Sequence, residues 1–290
     1  MRVVVTGATG FIGRHLTSML GPIHEIYAVH RDNEDMPVQA VSVKLDLSKS
    51  FDVRLLPERV DAVIHLAQSQ HYREFPIGIA DVFAVNVAST VSLLQYAVGA
   101  GARQFILAST GSVYAPGLHQ MSENAVTAPS SFYSASKLAA EYLAHPFSDR
   151  LAINCLRLFF PYGPGQSGRL VSDLIDRVAN GRAVTLQGST DGLLFNPTYV
   201  DDIVAVIHLA LKDAWSGTFN IAAPRTLSIR QAATEIGDAL GREPRFESVG
   251  GEAPQSLLPD LSRLGDRFDL DRFITFREGI GRTISVSRVG

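Results

Sequence analysis

The sequence has 290 residues, 46% hydrophobic, 19% charged and 8% aromatic, with 26 basic against 29 acidic side chains. That balance excludes a chain disordered throughout, and a formal charge of −3 offers no basic excess to meet nucleic-acid phosphates. A single cysteine, Cys155, excludes an internal disulfide framework or a cysteine-built metal cluster within one chain. The length suits one large domain or two coupled ones.

In chain order, the start passes from Val3-Val4-Val5 straight into Thr6-Gly7 without a basic, apolar leader, which predicts a cytoplasmic protein. Short apolar runs over 3–5, 25–29, 40–43, 62–66, 104–108 and 152–158 read as strands buried on both faces. Helical stretches over 12–20, 81–100 and 132–145 alternate with them. Such alternation predicts an α/β fold, a Rossmann-like doubly wound parallel sheet. Residues 82–102 carry no charge and are long enough to span a bilayer, but Asn86, Ser89, Thr90, Ser92 and Gln95 interrupt them. They predict a buried helix and no membrane span, covered by its own sheet and by a partner.

After Leu158 the pattern changes. Pro161-Tyr162-Gly163-Pro164-Gly165 cannot continue a strand, and further breaks fall at Gly188, Asn196-Pro197, Ala223-Pro224, Gly250-Gly251 and Pro259. The expected division is a nucleotide-binding sheet domain over 1–160 plus about 198–223. A smaller mixed α/β C-terminal lobe over about 161–197 and 224–290 would hold the substrate.

Thr6-Gly7-Ala8-Thr9-Gly10-Phe11-Ile12-Gly13 follows a strand and opens a helix, the setting in which a glycine turn cradles a dinucleotide. Gly7 allows the tight turn, Gly10 lets the backbone approach a pyrophosphate, and Gly13 lets the helix pack on the strand, with free N–H groups facing the phosphates. At the end of the second strand stand His30 and Arg31 rather than an acid, which favours NADP over NAD, although Asp32 follows at once. Asp46, after the third strand, either reaches the adenine amine or caps a turn through Ser48.

Tyr133-Ser134-Ala135-Ser136-Lys137 puts a phenol and an ammonium four residues apart on one helix face, with Glu141 one turn on. A free phenol has a pKa of about 10. A neighbouring cation favours the phenolate, so Tyr133 can serve as a general base on an alcohol or a general acid on a ketone. Ser109 and Thr110 end a predicted strand, where ligands of open parallel sheets sit.

The glycine turn, strand-end hydroxyl and Tyr-x-x-x-Lys helix, in this order, resemble the extended short-chain dehydrogenase/reductase (NAD-dependent epimerase/dehydratase) family. The resemblance continues through Val63-Ile64-His65-Leu66-Ala67, Asn86-Val87, 157–165, Thr198-Tyr199-Val200-Asp201-Asp202, Phe219-Asn220-Ile221 and 262–284. It implies a Rossmann domain holding NAD(P), with the substrate in a cleft against the smaller lobe. It makes Tyr133 the acid/base, Lys137 the ribose-holding cation and Thr110, rather than Ser109, the strand-end hydroxyl. Gly7, Gly10, Phe11, Ile12 and Arg31 would meet the phosphate end of the cofactor, Asp46 and Leu47 the adenine, and Leu66 and Ala67 the nicotinamide side. Many members dimerise through a four-helix bundle, which here points to a homodimer through the uncharged helix and the Tyr133 helix.

Departures from the family pattern shape the expected reaction. Gly111-Ser112 follow Thr110 where sugar-nucleotide dehydratases carry Asp-Glu, an argument against dehydration. Phe160 replaces an Asn common in epimerases, and Phe195-Asn196 stand where a phosphate-binding Arg is usual, with Arg169, Arg225, Arg230 or Arg245 as possible substitutes. Phe159, Phe160, Leu193, Leu194 and Phe195 either line a less polar pocket or belong to the core. No metal is needed. The expectation is an NAD(P)-dependent oxidoreductase or epimerase acting on a secondary alcohol or ketone of a nucleotide sugar, by 4-ketoreduction or epimerisation. The alternatives are an NADPH-dependent reductase of a non-sugar ketone or aldehyde, and a non-catalytic NAD(P)-sensing regulator.

Overall fold

The computed structural model describes residues 1–31, 39–117, 119–188, 191–252 and 254–287. It divides into two compact units, the first made of Met1–Val113, Thr127–Arg157 and Val204–Phe219, the second of Tyr114–Val126, Leu158–Ile203 and Asn220–Gly290.

The first unit carries the predicted alternation. Strands β1 (Arg2–Thr6), β2 (Glu25–His30), β3 (Val41–Lys44), β4 (Ala62–His65) and β5 (Gln104–Thr110) pair in parallel from β3 through β2, β1 and β4 to β5. Ala152–Leu158 and then Gly217–Ile221 extend the sheet beyond β5 to seven strands. The order reverses between β1 and β4, so their carboxyl ends form the crevice where doubly wound sheets bind ligands. Val3, Val4, Val5, Ala62, Val63 and Ile64 are inaccessible to solvent, which explains the unbroken apolar runs.

Helix α1 (Phe11–Leu20) follows β1. The uncharged stretch forms α2 (Ile79–Phe83), a π-helical turn over Ala84–Ala88 and α3 (Ser89–Gly99). Among the described residues this is the one helix long and apolar enough to cross a membrane by composition, yet more than half of its most apolar stretch is buried within the fold. Leu93, Leu94 and Ala97 share a core with Phe105, Leu107 and with Ala140 and Ala144 of α4 (Phe132–Ala144).

In the second unit, short strand pairs support Leu170–Ala179, Ile229–Leu240 and Phe276–Ser287 as helices. Gly279 has no room for a side chain, since a Cβ would lie 2.2 Å from the Tyr162 hydroxyl. Residues 114–126, placed in the sheet domain by sequence, group with this unit through contacts distant in the chain. Asn220 donates from its amide Nδ2 to Met121 O at 2.8 Å, and its backbone N–H meets Glu123 Oε1 at 2.8 Å. Gly117 N reaches Ser256 O at 3.0 Å.

Candidate active site

The glycine turn lies at the β1–β4 crevice. Gly7 has φ +67°, and a Cβ there would stand 2.8 Å from the backbone N of Ala67. At Gly13 a Cβ would lie 2.1 Å from the carbonyl oxygen of Gly7, so α1 packs onto the turn only through glycine. Gly10 starts α1 with no side-chain cap, and no acidic residue occupies the first turn. The positive end of the helix is therefore left for an external anion. Phe11 and Ile12 are half-buried beside it.

A buried chain of hydrogen bonds holds this turn, and sequence reasoning missed it. Thr90 donates its hydroxyl proton to Asn86 O at 2.8 Å, so His65 Nε2, 3.1 Å away, is the donor to Thr90. His65 Nδ1 then accepts the Thr6 hydroxyl at 2.6 Å, and Thr6 Oγ1 accepts Ala67 N–H at 3.2 Å. Burial, with the Lys137 charge adding to it, pushes the His65 imidazole down to about 3, so the ring is neutral. The available signal was a histidine within the otherwise apolar strand Ala62–His65.

Leu66 is half-buried and Ala67 buried at the end of β4, and Leu47 is buried after β3. Asp46 caps its turn, accepting Ser48 N at 3.0 Å and Ser48 Oγ at 2.7 Å. Burial pushes its carboxyl up, but the bonds from Ser48 and Lys49 outweigh this and hold it below the usual range. Arg31 is exposed just past β2, while His30 is buried and bonded to Ser42 at 2.7 Å. Asp32 lies outside the described residues.

The helix α4 begins at Ser131, whose hydroxyl accepts Ser134 N at 3.1 Å, and this cap fixes the start of the Tyr133 turn. Tyr133 is half-buried. Lys137 is buried, with Nζ donating to Ala108 O at 3.0 Å near the end of β5. Burial pushes its ammonium down to about 8, against the opposing pull of Glu141. Of the two strand-end hydroxyls, Ser109 is buried and donates to Glu141, whereas Thr110 is half-buried and lies 2.8 Å from Ser112 Oγ. Glu141 also accepts Arg157 Nη2 at 2.6 Å and Nε at 3.1 Å, an ion pair with both side chains 7% exposed. Asn86, in the π-helical turn, ties these elements together: its Oδ1 accepts Ser69 N at 3.2 Å, and its Nδ2 donates to Ser136 Oγ at 2.9 Å.

In the second unit Phe159 and Phe195 belong to the buried core, and Phe160, at φ +40°, stands edge-on to Phe195 with ring centres 5.2 Å apart. Asn196 is buried and donates to Ala223 O at 2.9 Å. Arg225 pairs with Glu235 at 2.6 Å, and Arg230 with Asp191 at 3.3 Å. Arg245 is exposed.

Residues 3–222 match the profile described as the NAD dependent epimerase/dehydratase family. The chain belongs to this family. It is 26% identical over 309 residues to UDP-glucuronic acid decarboxylase 1 of Arabidopsis thaliana, covering 98% of this chain and 69% of that protein. MoeE5, solved in complex with UDP-glucuronic acid and NAD, superposes with a TM-score of 0.85 at 29% identity, covering 100% of this chain and 99% of that one. dTDP-D-glucose 4,6-dehydratase of Dictyostelium discoideum is 26% identical over 266 residues, covering 81% of this chain and 61% of that protein.

A dehydratase and decarboxylases among the relatives overturn the expectation that this enzyme does not dehydrate. Gly111-Ser112 show only that an acid pair is absent from one place. Elimination also depends on the acidity of carbons beside a newly formed ketone and on groups elsewhere around the sugar, which two positions do not decide.

Proposed function

We propose that this enzyme uses NAD to oxidise a secondary alcohol of a UDP-linked hexose or hexuronic acid, with Tyr133 as the acid/base. The observation that carries the reading is Lys137, buried on the Tyr133 helix and fixed to Ala108 O at 3.0 Å beside the strand-end hydroxyl of Thr110.

The glycine turn suits a dinucleotide, because Gly7 and Gly13 leave no space for a Cβ and Gly10 leaves the helix end uncapped. Gly7, Gly10, Phe11 and Ile12 would hold its pyrophosphate end, with Leu47 and Asp46 toward adenine and Leu66 and Ala67 toward nicotinamide. When bound, NAD supplies a hydride acceptor that can return the hydride. The complex of MoeE5 with NAD supports NAD here over the NADP that Arg31 suggested.

The Tyr133 phenolate takes the proton of the reacting hydroxyl, and the Lys137 cation favours that phenolate. Thr110 holds the same oxygen by hydrogen bonding. The resulting 4-keto sugar can be reduced from its other face, which is epimerisation, or lose water or, from a hexuronic acid, carbon dioxide before reduction. Epimerisation is the outcome favoured by this reading, and net 4-ketoreduction is the same proton and hydride chemistry run in one direction.

The test is Tyr133→Phe against wild type, with NAD and either UDP-glucuronic acid or UDP-glucose. The readouts are formation of bound NADH and sugar products by NMR. Loss of a general acid/base predicts a fall in turnover of about 10²- to 10⁴-fold, with NAD affinity kept. Unchanged turnover in this variant would refute the assignment. Phe160, half-buried where many epimerases carry an Asn, favours a second reading, an NADPH-dependent reductase of a non-sugar ketone or aldehyde. Failure of every nucleotide sugar to bind the NAD-loaded protein would select that reading.

A further inference from the structure

The segment after β4 brings an aromatic ring onto Tyr133. The Tyr72 and Tyr133 ring centres are 5.0 Å apart, with planes tilted by 54°. This is within the range of favourable aromatic pairs. The Arg73 guanidinium lies 5.4 Å from the Tyr72 ring centre.

The loop that presents Tyr72 is tied down at both ends. Ser69 donates from its hydroxyl to Asp81 and from its backbone N to Asn86 Oδ1 at 3.2 Å, while its Oγ accepts His71 N at 3.1 Å. Glu74 N returns to His71 O at 2.9 Å, Gly78 N to Glu74 O at 2.7 Å, and His71 Nδ1 meets Glu74 Oε2 at 2.9 Å. Gly78 closes the coil, because a Cβ there would stand 2.4 Å from His71 O. Asn86 joins this loop to the Tyr133 turn, since Ser136, which receives its amide, donates in turn to Tyr133 O at 2.7 Å.

We propose that Tyr72 is a positioning residue for Tyr133, its ring closing one side of the phenol so that the hydroxyl keeps a single direction. The Ser131 cap fixes the backbone of the first turn of α4 but not the Tyr133 side chain. The Tyr72 ring, carried on a loop held by the Ser69–Asp81–Asn86 anchor, supplies the second support. The inference rests on the reading of Tyr133 as acid/base.

The experiment compares Tyr72→Leu, Tyr72→Phe and Tyr133→Phe in the full chain. Fluorotyrosine labelling gives a ¹⁹F resonance for Tyr133, assigned by its loss in Tyr133→Phe. Turnover is read with NAD and UDP-glucuronic acid or UDP-glucose. Misplacement of a reacting group predicts about a tenfold fall in kcat for Tyr72→Leu, with NAD affinity and melting temperature unchanged. The Tyr133 resonance should broaden or split in that variant as the phenol takes up more than one direction, and Tyr72→Phe should restore both readouts. A Tyr133 resonance as single and narrow in Tyr72→Leu as in wild type, or an unchanged kcat, overturns the proposal. If Tyr133→Phe retains turnover, the acid/base reading fails instead. If neither sugar nucleotide reacts with wild type, the substrate reading falls and the resonance alone decides Tyr72.

Discussion

Lys137 and Ala108 meet at the centre of the candidate site, the ammonium donating to the backbone carbonyl at 3.0 Å near the end of β5. The contact couples α4 to the sheet and holds the cation in a buried setting.

Burial pushes the Lys137 ammonium down to about 8, whereas in the unfolded chain it titrates near about 10.4. Between those values the unfolded chain binds a proton that the folded one has released. This group therefore adds stability as pH rises through the window and contributes none of it below about 8. The difference in melting temperature between wild type and Lys137→Met, measured across that range, should follow this slope. Turnover should fall above about pH 8, where the cation that favours the phenolate is lost.

Gly13→Ala would place a methyl 2.1 Å from Gly7 O, a backbone atom that cannot step aside. Overpacking of this kind costs roughly 1–3 kcal/mol. Urea unfolding should show the loss, and NAD titration should show weakened binding because the turn and α1 must separate.

Glu141→Ala strips Arg157 of its carboxylate and removes the acceptor of Ser109 within a buried cluster. Breaking a buried pair in this way costs about 3–5 kcal/mol. Glu141→Gln retains an acceptor oxygen, and denaturant midpoints should rank it between Ala and wild type.

Phe83 of α2 and Tyr142 and Leu143 of α4 are exposed, on helices that pack against each other. The family resemblance implies a homodimer through these helices, and we propose one here. Light scattering should find a mass near twice that of the chain for wild type and a monomer for Phe83→Glu combined with Tyr142→Glu. A monomeric wild type would refute this.

The parts of the site that sequence spacing carries were legible. Gly7, Gly10 and Gly13 stand at intervals dictated by one turn and one helix start, and Tyr133 and Lys137 at the interval of a helix face. Of the two alternatives for Asp46, the turn cap through Ser48 was legible because both bonds are local. Tyr72 was invisible, since nothing in 69–78 shows which helix its ring will meet. Glu141 was seen only as the next turn of the Tyr133 face, without Arg157 and Ser109.

The sequence by itself determined the alternation of strands and helices, the glycine turn and the Tyr-Lys face, because hydrophobic periodicity and backbone sterics act over a few residues. Only the tertiary structure decided which polar groups share the interior. Thr6 meets His65 across 59 residues, and Ser109 meets Glu141 across 32. Such bonds exist because the parallel sheet brings β1 beside β4 and lays α4 along β5. Once water is excluded, each buried donor and acceptor must find a partner there, whatever its distance along the chain.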